Sequence, residues 1–318
     1  MMRKTFLYCL AAFLLNAGSA HAVNVATWTF VDGNGANGVN KSTTRDATSP
    51  QITSFNKNFY AIWTERDATN NVRQVRVAVY NELDLTPAWS FVDGNGITGI
   101  NKDTSRTARN PQLTVLGRKL YATWREDNGA ADQIRVAVYN GNDLLPAWTF
   151  VDGNGANGIN KDTGRNASES QFELFLGKIY VTWAETNGGT DQIRVAMYNG
   201  NDLLPVWTFV DGNGTNGINK DVTYSATSPQ LTMHKGVLYA TWREDNGTAS
   251  QIRAAAFGGN VLLPTWTFVD GNSATTGLNK NTGLDASVPQ FARFSNKLYA
   301  TWVETNGTNS QIRMVLGQ

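Results

Sequence analysis

The chain of 318 residues is short of cysteine, histidine and net charge. Its only cysteine, Cys9, lies in an apolar N-terminal run. Behind that run the chain folds without disulfides, even in an oxidising compartment. Of its two histidines, His21 and His234, only the second lies beyond the N-terminal segment. A Ser-His-Asp centre or a histidine-based metal site therefore has little material to draw on. Lys and Arg number 27 against 26 Asp and Glu, and setting aside Arg3 and Lys4 leaves 25 against 26. So even a balance argues against nucleic acid or an anionic membrane as partner, since either calls for a basic face. Charged residues make up 17% of the chain, below the roughly 25% of typical globular proteins. Asn, Thr, Gly and aromatic residues take their place, a polar uncharged surface suited to work outside the cell. No later apolar run approaches the roughly 20 residues of a membrane-spanning helix.

Met1–Ala22 reads as a secretory signal peptide. It has a basic start at Arg3 and Lys4, an apolar run from Phe6 to Leu15, and the small-residue end Ala20-His21-Ala22. The expectation is cleavage after residue 22 and one exported domain over residues 23–318. That domain would be secreted, periplasmic or at the cell surface, with no membrane insertion of the mature chain.

What the chain has in abundance is repetition. One set of tryptophans stands at 28, 89, 148, 207 and 266, and another at 63, 124, 183, 242 and 302. Together they account for all 10 tryptophans. TWREDNG recurs verbatim at 123–129 and 241–247, and YNGNDLLP at 139–146 and 198–205. Each copy reads as four short strands, as in Pro111–Leu116, Leu120–Glu126, Gln133–Tyr139 and Ala147–Asp152. β-branched and aromatic residues dominate these runs, and no helical period competes. The expected fold is all-β, a five-bladed β-propeller with four antiparallel strands per blade. Thr27–Asp32 is a fourth strand without its first three, whereas Gln311–Leu316 is a third strand without its fourth. The N-terminal strand is therefore expected to complete the last blade and close the ring.

The WTFVDGNG repeats resemble those of bacterial secreted tandem-repeat proteins. In architecture the chain is similar to five-bladed propeller lectins such as tachylectin-2. That resemblance implies glycan binding, with no sugar-binding residue carried over position by position.

Strand order places the loops. Successive antiparallel strands put the d-to-a connection (Gly153–Ser170) and the b-to-c loop (Glu126–Asp132) at one edge of each blade. Short turns are expected at the other edge, so the long-loop edge is the functional candidate. The first candidate on it is the Asp-Gly-Asn-Gly loop beginning at Asp32, Asp93, Asp152 and Asp211, altered at Asp270. Its oxygens suit calcium, but it lacks the other acidic ligands of a calcium loop, and turn chemistry is the favoured reading. No cofactor is otherwise expected.

The second candidate is a Trp-x-Glu facing an Arg across the b–c hairpin. Its five copies are Trp63, Glu65 and Arg76; Trp124, Glu126 and Arg135; Trp183, Glu185 and Arg194; Trp242, Glu244 and Arg253; and Trp302, Glu304 and Arg313. These residues would form either a pyranose platform with polar partners or a packed indole with a hairpin ion pair. Repetition alone does not choose, because a scaffold residue repeats as faithfully as a ligand. The third candidate is a variable position, Arg45, Arg106, Arg165, Tyr224 and Leu284. A scaffold residue would be the same in all copies, so its first four members point to ligand contact.

The expected function is multivalent glycan or glycoconjugate binding at repeated weak sites. A surface protein partner and a propeller glycoside hydrolase are the alternatives. The non-repeated acids Glu82, Glu169 and Glu173 are the material for hydrolysis. Glu169 and Glu173 stand about 13 Å apart on an extended strand, too far for a glycosidase pair at roughly 5–9.5 Å.

Overall fold

The computed structural model describes residues 29–317, apart from 33–36, 68, 70, 85–87, 95–97, 154, 213, 272 and 274. The expected signal segment lies outside the described residues, as do Thr27 and Trp28. Every regular element among the described residues is a strand. The second repeat shows the pattern, with β5 (Ala108–Leu116), β6 (Lys119–Asp127), β7 (Asp132–Tyr139) and β8 (Trp148–Phe150) in one antiparallel sheet. The same sheet recurs as β1–β4 over residues 47–91, β9–β12 over 167–209 and β13–β16 over 226–268. The fifth holds three strands, β17 (Ala286–Phe294), β18 (Lys297–Thr305) and β19 (Ser310–Gly317).

Alternating side chains give each sheet two apolar faces, and neighbouring sheets bury them against each other. Tyr121, Ile134, Val136 and Val151 of the second sheet pack on Ile179, Val181, Trp183 and Ala196 of the third. Equivalent clusters join the first sheet to the second and the third to the fourth. The repeats are therefore blades. A further stitch runs between outer strands, where the indole N–H of Trp148, Trp207 and Trp266 donates to the carbonyls of Val92, Val151 and Val210 at 2.8–2.9 Å.

Each inner strand bends at its third residue. Ser49, Asn110, Glu169, Ser228 and Val288 all have φ between 52° and 58°. The register against the second strand shifts there, as between Arg109 and Gln112. This is a bulge that curves the strand.

The described residues differ from the expected ring at one place. Thr29–Val31 lie in no sheet, and Phe30 is 88% exposed. β19 presents Ile312, Met314 and Leu316 to solvent, and the first blade presents Ile52 and Phe59. At the inner junctions the counterparts of Ile312, Met314 and Phe59 are buried and those of Ile52 and Leu316 are buried or half-buried, so among the described residues the junction between last and first blades is unpaired. The c–d connection also departs from the short turn expected of it. In the second blade it runs from Asn140 to Ala147 before the outer strand begins.

Candidate functional site

The Trp-x-Glu residues follow from the b–c register, which sets Trp124 opposite Arg135 and Glu126 opposite Gln133. The Trp124 indole N–H donates to Glu126 Oε2 at 2.7 Å. The two carboxylate oxygens also accept the backbone N–H groups of Lys102 and Asp103 at 2.9 and 2.8 Å. Glu126 thereby pins the connection that enters its own blade. Glu65, Glu185, Glu244 and Glu304 do the same, each holding its tryptophan and two backbone amides. Burial raises the Glu126 and Glu244 carboxyls, against the pull of these donors.

The arginine of each copy lies behind this group. Arg76, Arg135, Arg194 and Arg253 face Asp93, Asp152, Asp211 and Asp270 at 3.2, 3.5, 3.4 and 3.6 Å. Arg313 meets Glu304 at 3.6 Å and is a third exposed. Lysines of the preceding connection complete the cluster, with Lys41, Lys161 and Lys220 at 3.3, 3.3 and 3.0 Å from Asp93, Asp211 and Asp270. Lys102 sits over the Phe150 ring, 4.4 Å from its centroid. Desolvation is the dominant influence on the aspartates. It pushes Asp152 up to about 7 and Asp211 up to about 6, against the attraction of their cations.

A pyranose platform needs an open indole face. Trp124, Trp183 and Trp242 are wholly buried, Trp302 and Trp63 nearly so, and Trp124 meets Phe150 edge-on at 5.8 Å. Glu65, Glu126, Glu185, Glu244 and Glu304 are buried too, as are Arg76, Arg135, Arg194 and Arg253. The structure brings these residues together as the internal frame of the blade, which is the packed-indole alternative. The aspartate of the Asp-Gly-Asn-Gly loop is likewise committed to lysine and arginine. Its following glycines, Gly94, Gly153, Gly212 and Gly271, have φ of 98–103°, the left-handed turn for which glycine suits.

The variable position is different. Arg106 and Arg165 are exposed, and Arg45 and Tyr224 are half-buried. The Arg106 guanidinium lies over Gly129 of the b–c loop, so closely that an added Cβ there would meet it, and reaches Asp127 at 3.7 Å. Tyr224 covers Gly247 in the same way two blades on. The loop is tied in turn to the connection leaving the blade, with Asn128 Nδ2 donating to Asn157 Oδ1 at 3.0 Å and Asn187 to Asn216 at 3.2 Å. In the second blade three segments thus converge on the rim, offering Arg106, Asp127 and the paired side-chain amides of Asn128 and Asn157, while in the fourth Asn246 donates instead to the Thr275 carbonyl. Guanidinium, carboxylate and amide groups of this kind can donate to and accept from hydroxyl groups.

One structural residue has no counterpart among the sequence candidates. Asn160 Oδ1 accepts the Ile134 N–H at 2.9 Å, while its Nδ2 donates to the carbonyls of Asp132 and Arg165. Asn101, Asn219 and Asn279 act identically. The Asn-Lys dipeptide repeated in every connection was the available signal. Among the non-repeated acids, Glu82 is exposed, Glu169 accepts the Ser228 N–H of the next blade, and Glu173 has its carboxyl raised by burial.

No protein-family model and no curated protein matches the chain. Among solved structures it is similar to an endo-arabinase from Bacteroides thetaiotaomicron, with 14% identity over 85% of this chain and 93% of that one, at a TM-score of 0.43. An α-L-arabinofuranosidase from Lactobacillus brevis gives 13%, 86%, 90% and 0.43. The Bombyx mori β-fructofuranosidase BmSUC1 gives 12%, 81%, 55% and 0.45. Likenesses of this size assign the chain neither a family nor an activity.

Proposed function

We propose that the chain is an exported, multivalent glycan-binding protein whose weak sites lie on the long-loop rim. The observation that supports this is the contrast at each blade. The Trp-x-Glu side chains are buried in all five copies and the facing arginine in the first four, whereas the variable Arg106 and Tyr224 are set over the b–c loops and Arg165 is exposed beside Asp162. Several such sites on one frame gain avidity on a glycan-covered surface without any being tight. Export by residues 1–22 would deliver the chain there. The test is a broad glycan array with and without calcium. Retention should fall in Arg106→Ala, Arg165→Ala and Tyr224→Ala, and the absence of any glycan bound by the wild type would overturn the reading.

A hydrolytic reading has one observation in its favour, the Glu173 carboxyl raised by burial, the direction of shift an acid catalyst requires. Polysaccharide turnover abolished in Glu173→Gln, with binding intact, would establish it.

We further propose that Thr29–Asp32 closes the ring as the fourth strand of the last blade. Two observations support it. The Trp89 indole donates to Val31 O at 2.9 Å, the stitch found between the other outer strands. A cavity on the first blade, lined by Pro50, Ile52, Ala61, Trp63 and Trp89, offers the face that β19 lacks. In the register of the other blades, Phe30 would lie beneath Lys280, and Asp32 between Lys280 and Arg313. Thr29→Cys with Leu316→Cys should then give an oxidised monomer. A covalent dimer, or no disulfide, would overturn it.

A further inference from the structure

The edge opposite the rim holds large apolar side chains in water, and they recur with the repeat. The c–d loops present Leu144-Leu145, Leu203-Leu204 and Leu262-Leu263, each between 71% and 92% exposed. Leu83 in the first blade is 75% exposed. A lone exposed leucine needs no explanation, but pairs kept at one position in successive repeats do.

Their exposure is built in. Asn142 Oδ1 accepts the N–H groups of both Leu144 and Leu145 at 3.1 Å, and Asn140 Nδ2 donates to Leu145 O at 2.8 Å. Asn201 and Asn260 hold the next two pairs by the same bonds. Asp143 accepts the hydroxyls of Tyr139 and, from the preceding blade, Tyr60, at 2.8 and 2.9 Å, which anchors the loop at its middle.

The a–b turns share this edge and carry positive charge. Lys178 Nζ donates to Asn199 O at 2.7 Å and Lys119 pairs with Asp202, both on c–d loops. Each repeat supplies at least one cation here: Lys57, Arg118 with Lys119, Lys178, Lys235 and Lys297. The same edge holds the c–d loop acids Glu82, Asp84, Asp143 and Asp202, but Asp143 and Asp202 are half-buried and engaged by tyrosine hydroxyls, while the acidic b–c loops, with Asp127, Asp132 and Asp245, lie on the opposite edge.

The leucine pairs stand on separate loops, one to a blade. A protein partner would need sockets at that spacing. A fluid lipid surface accepts knobs wherever they fall, and anionic headgroups complement the basic turns. We infer that this edge docks on a lipid surface bearing anionic headgroups, the leucines entering the interface and the lysines facing the headgroups. The chain lies on that surface and does not cross it.

The test is cosedimentation of the purified protein with vesicles of phosphatidylcholine, alone or mixed with phosphatidylglycerol. The wild type should bind the mixed vesicles, and less so as salt rises. The triple variant Leu144→Ser, Leu203→Ser, Leu262→Ser should bind about tenfold more weakly or worse, since each change removes apolar area from the interface. These side chains are at least 86% exposed, so the unfolding midpoint should not move. Wild type and variant share the same N-terminal segment, so any vesicle affinity it contributes appears equally in both. No vesicle binding, or equal binding by the variant, overturns the inference. So does a wild-type dimer that the variant dissociates, which would make a second copy the occupant. Glycan retention on the rim should be unchanged in the variant, which separates failure here from failure of the glycan reading.

Discussion

Ile134 and Ile312 occupy the same place in two repeats, yet the first is 0% exposed and the second 74%. Val136 and Met314 differ in the same way, as do Leu113 and Ile52 on the facing sheets. The residues are alike, and only the neighbour differs. A four-stranded sheet with two apolar faces cannot bury either alone, so burial in this molecule belongs to the junction. Trp302 is buried even in the last blade because its partners, Glu304 and the face of the fourth blade, are in place.

The largest effect expected on this contrast comes from an inner junction. Trp183→Ala should cost ~3–5 kcal/mol, read as a shifted denaturant midpoint, because a wholly buried indole leaves a cavity. Ile312→Ala should cost under ~0.5 kcal/mol if its face stays in solvent, and ~2 kcal/mol or more if the ring closes over it. Next comes the carboxylate pin. Glu126→Gln keeps the shape but weakens three charge-assisted bonds and leaves an amide N–H facing donors, an expected loss of ~1–3 kcal/mol.

A pH series gives a smaller, signed effect. Asp152 is pushed up to about 7 and Asp211 to about 6, above their ordinary 3.8. The folded chain therefore holds these protons more tightly than the unfolded one. The stability they contribute is fully present below the unfolded value and is lost as pH rises through the folded values. Unfolding midpoints measured across that window should decline less steeply in Asp152→Asn than in the wild type. The smallest effect on stability belongs to the rim. Arg165→Ala should change it by under ~0.5 kcal/mol, since its pairing with Asp162 is exposed, while glycan retention falls.

The repeat, the four strands and the loop edges were legible in the sequence because they depend on local pattern and spacing. In the second blade the inner strand begins at Ala108 where Pro111 was expected, since the strand continues through its bulge. The fate of Trp124, Glu126 and Arg135 was not legible. Their side chains face one another in either reading, and only the packing of the adjacent blade decides whether water or a ligand reaches them. Asn160 escaped notice because its work is done on backbone groups of other segments, which no composition records. The leucine pairs were visible as letters, but a hairpin-type Asn-Gly hid a loop long enough to hold them outward.

Each outer-strand tryptophan bonds the outer strand of the blade before it, so the stitch always joins one repeat to its predecessor. Gene duplication that copies a whole repeat therefore copies a donor for the stitch behind and an acceptor for the stitch ahead. Loss of a repeat removes one of each. The inheritance of this architecture is modular in whole-repeat steps, and selection on repeat number would act through the fit between first and last blades rather than through any stitch.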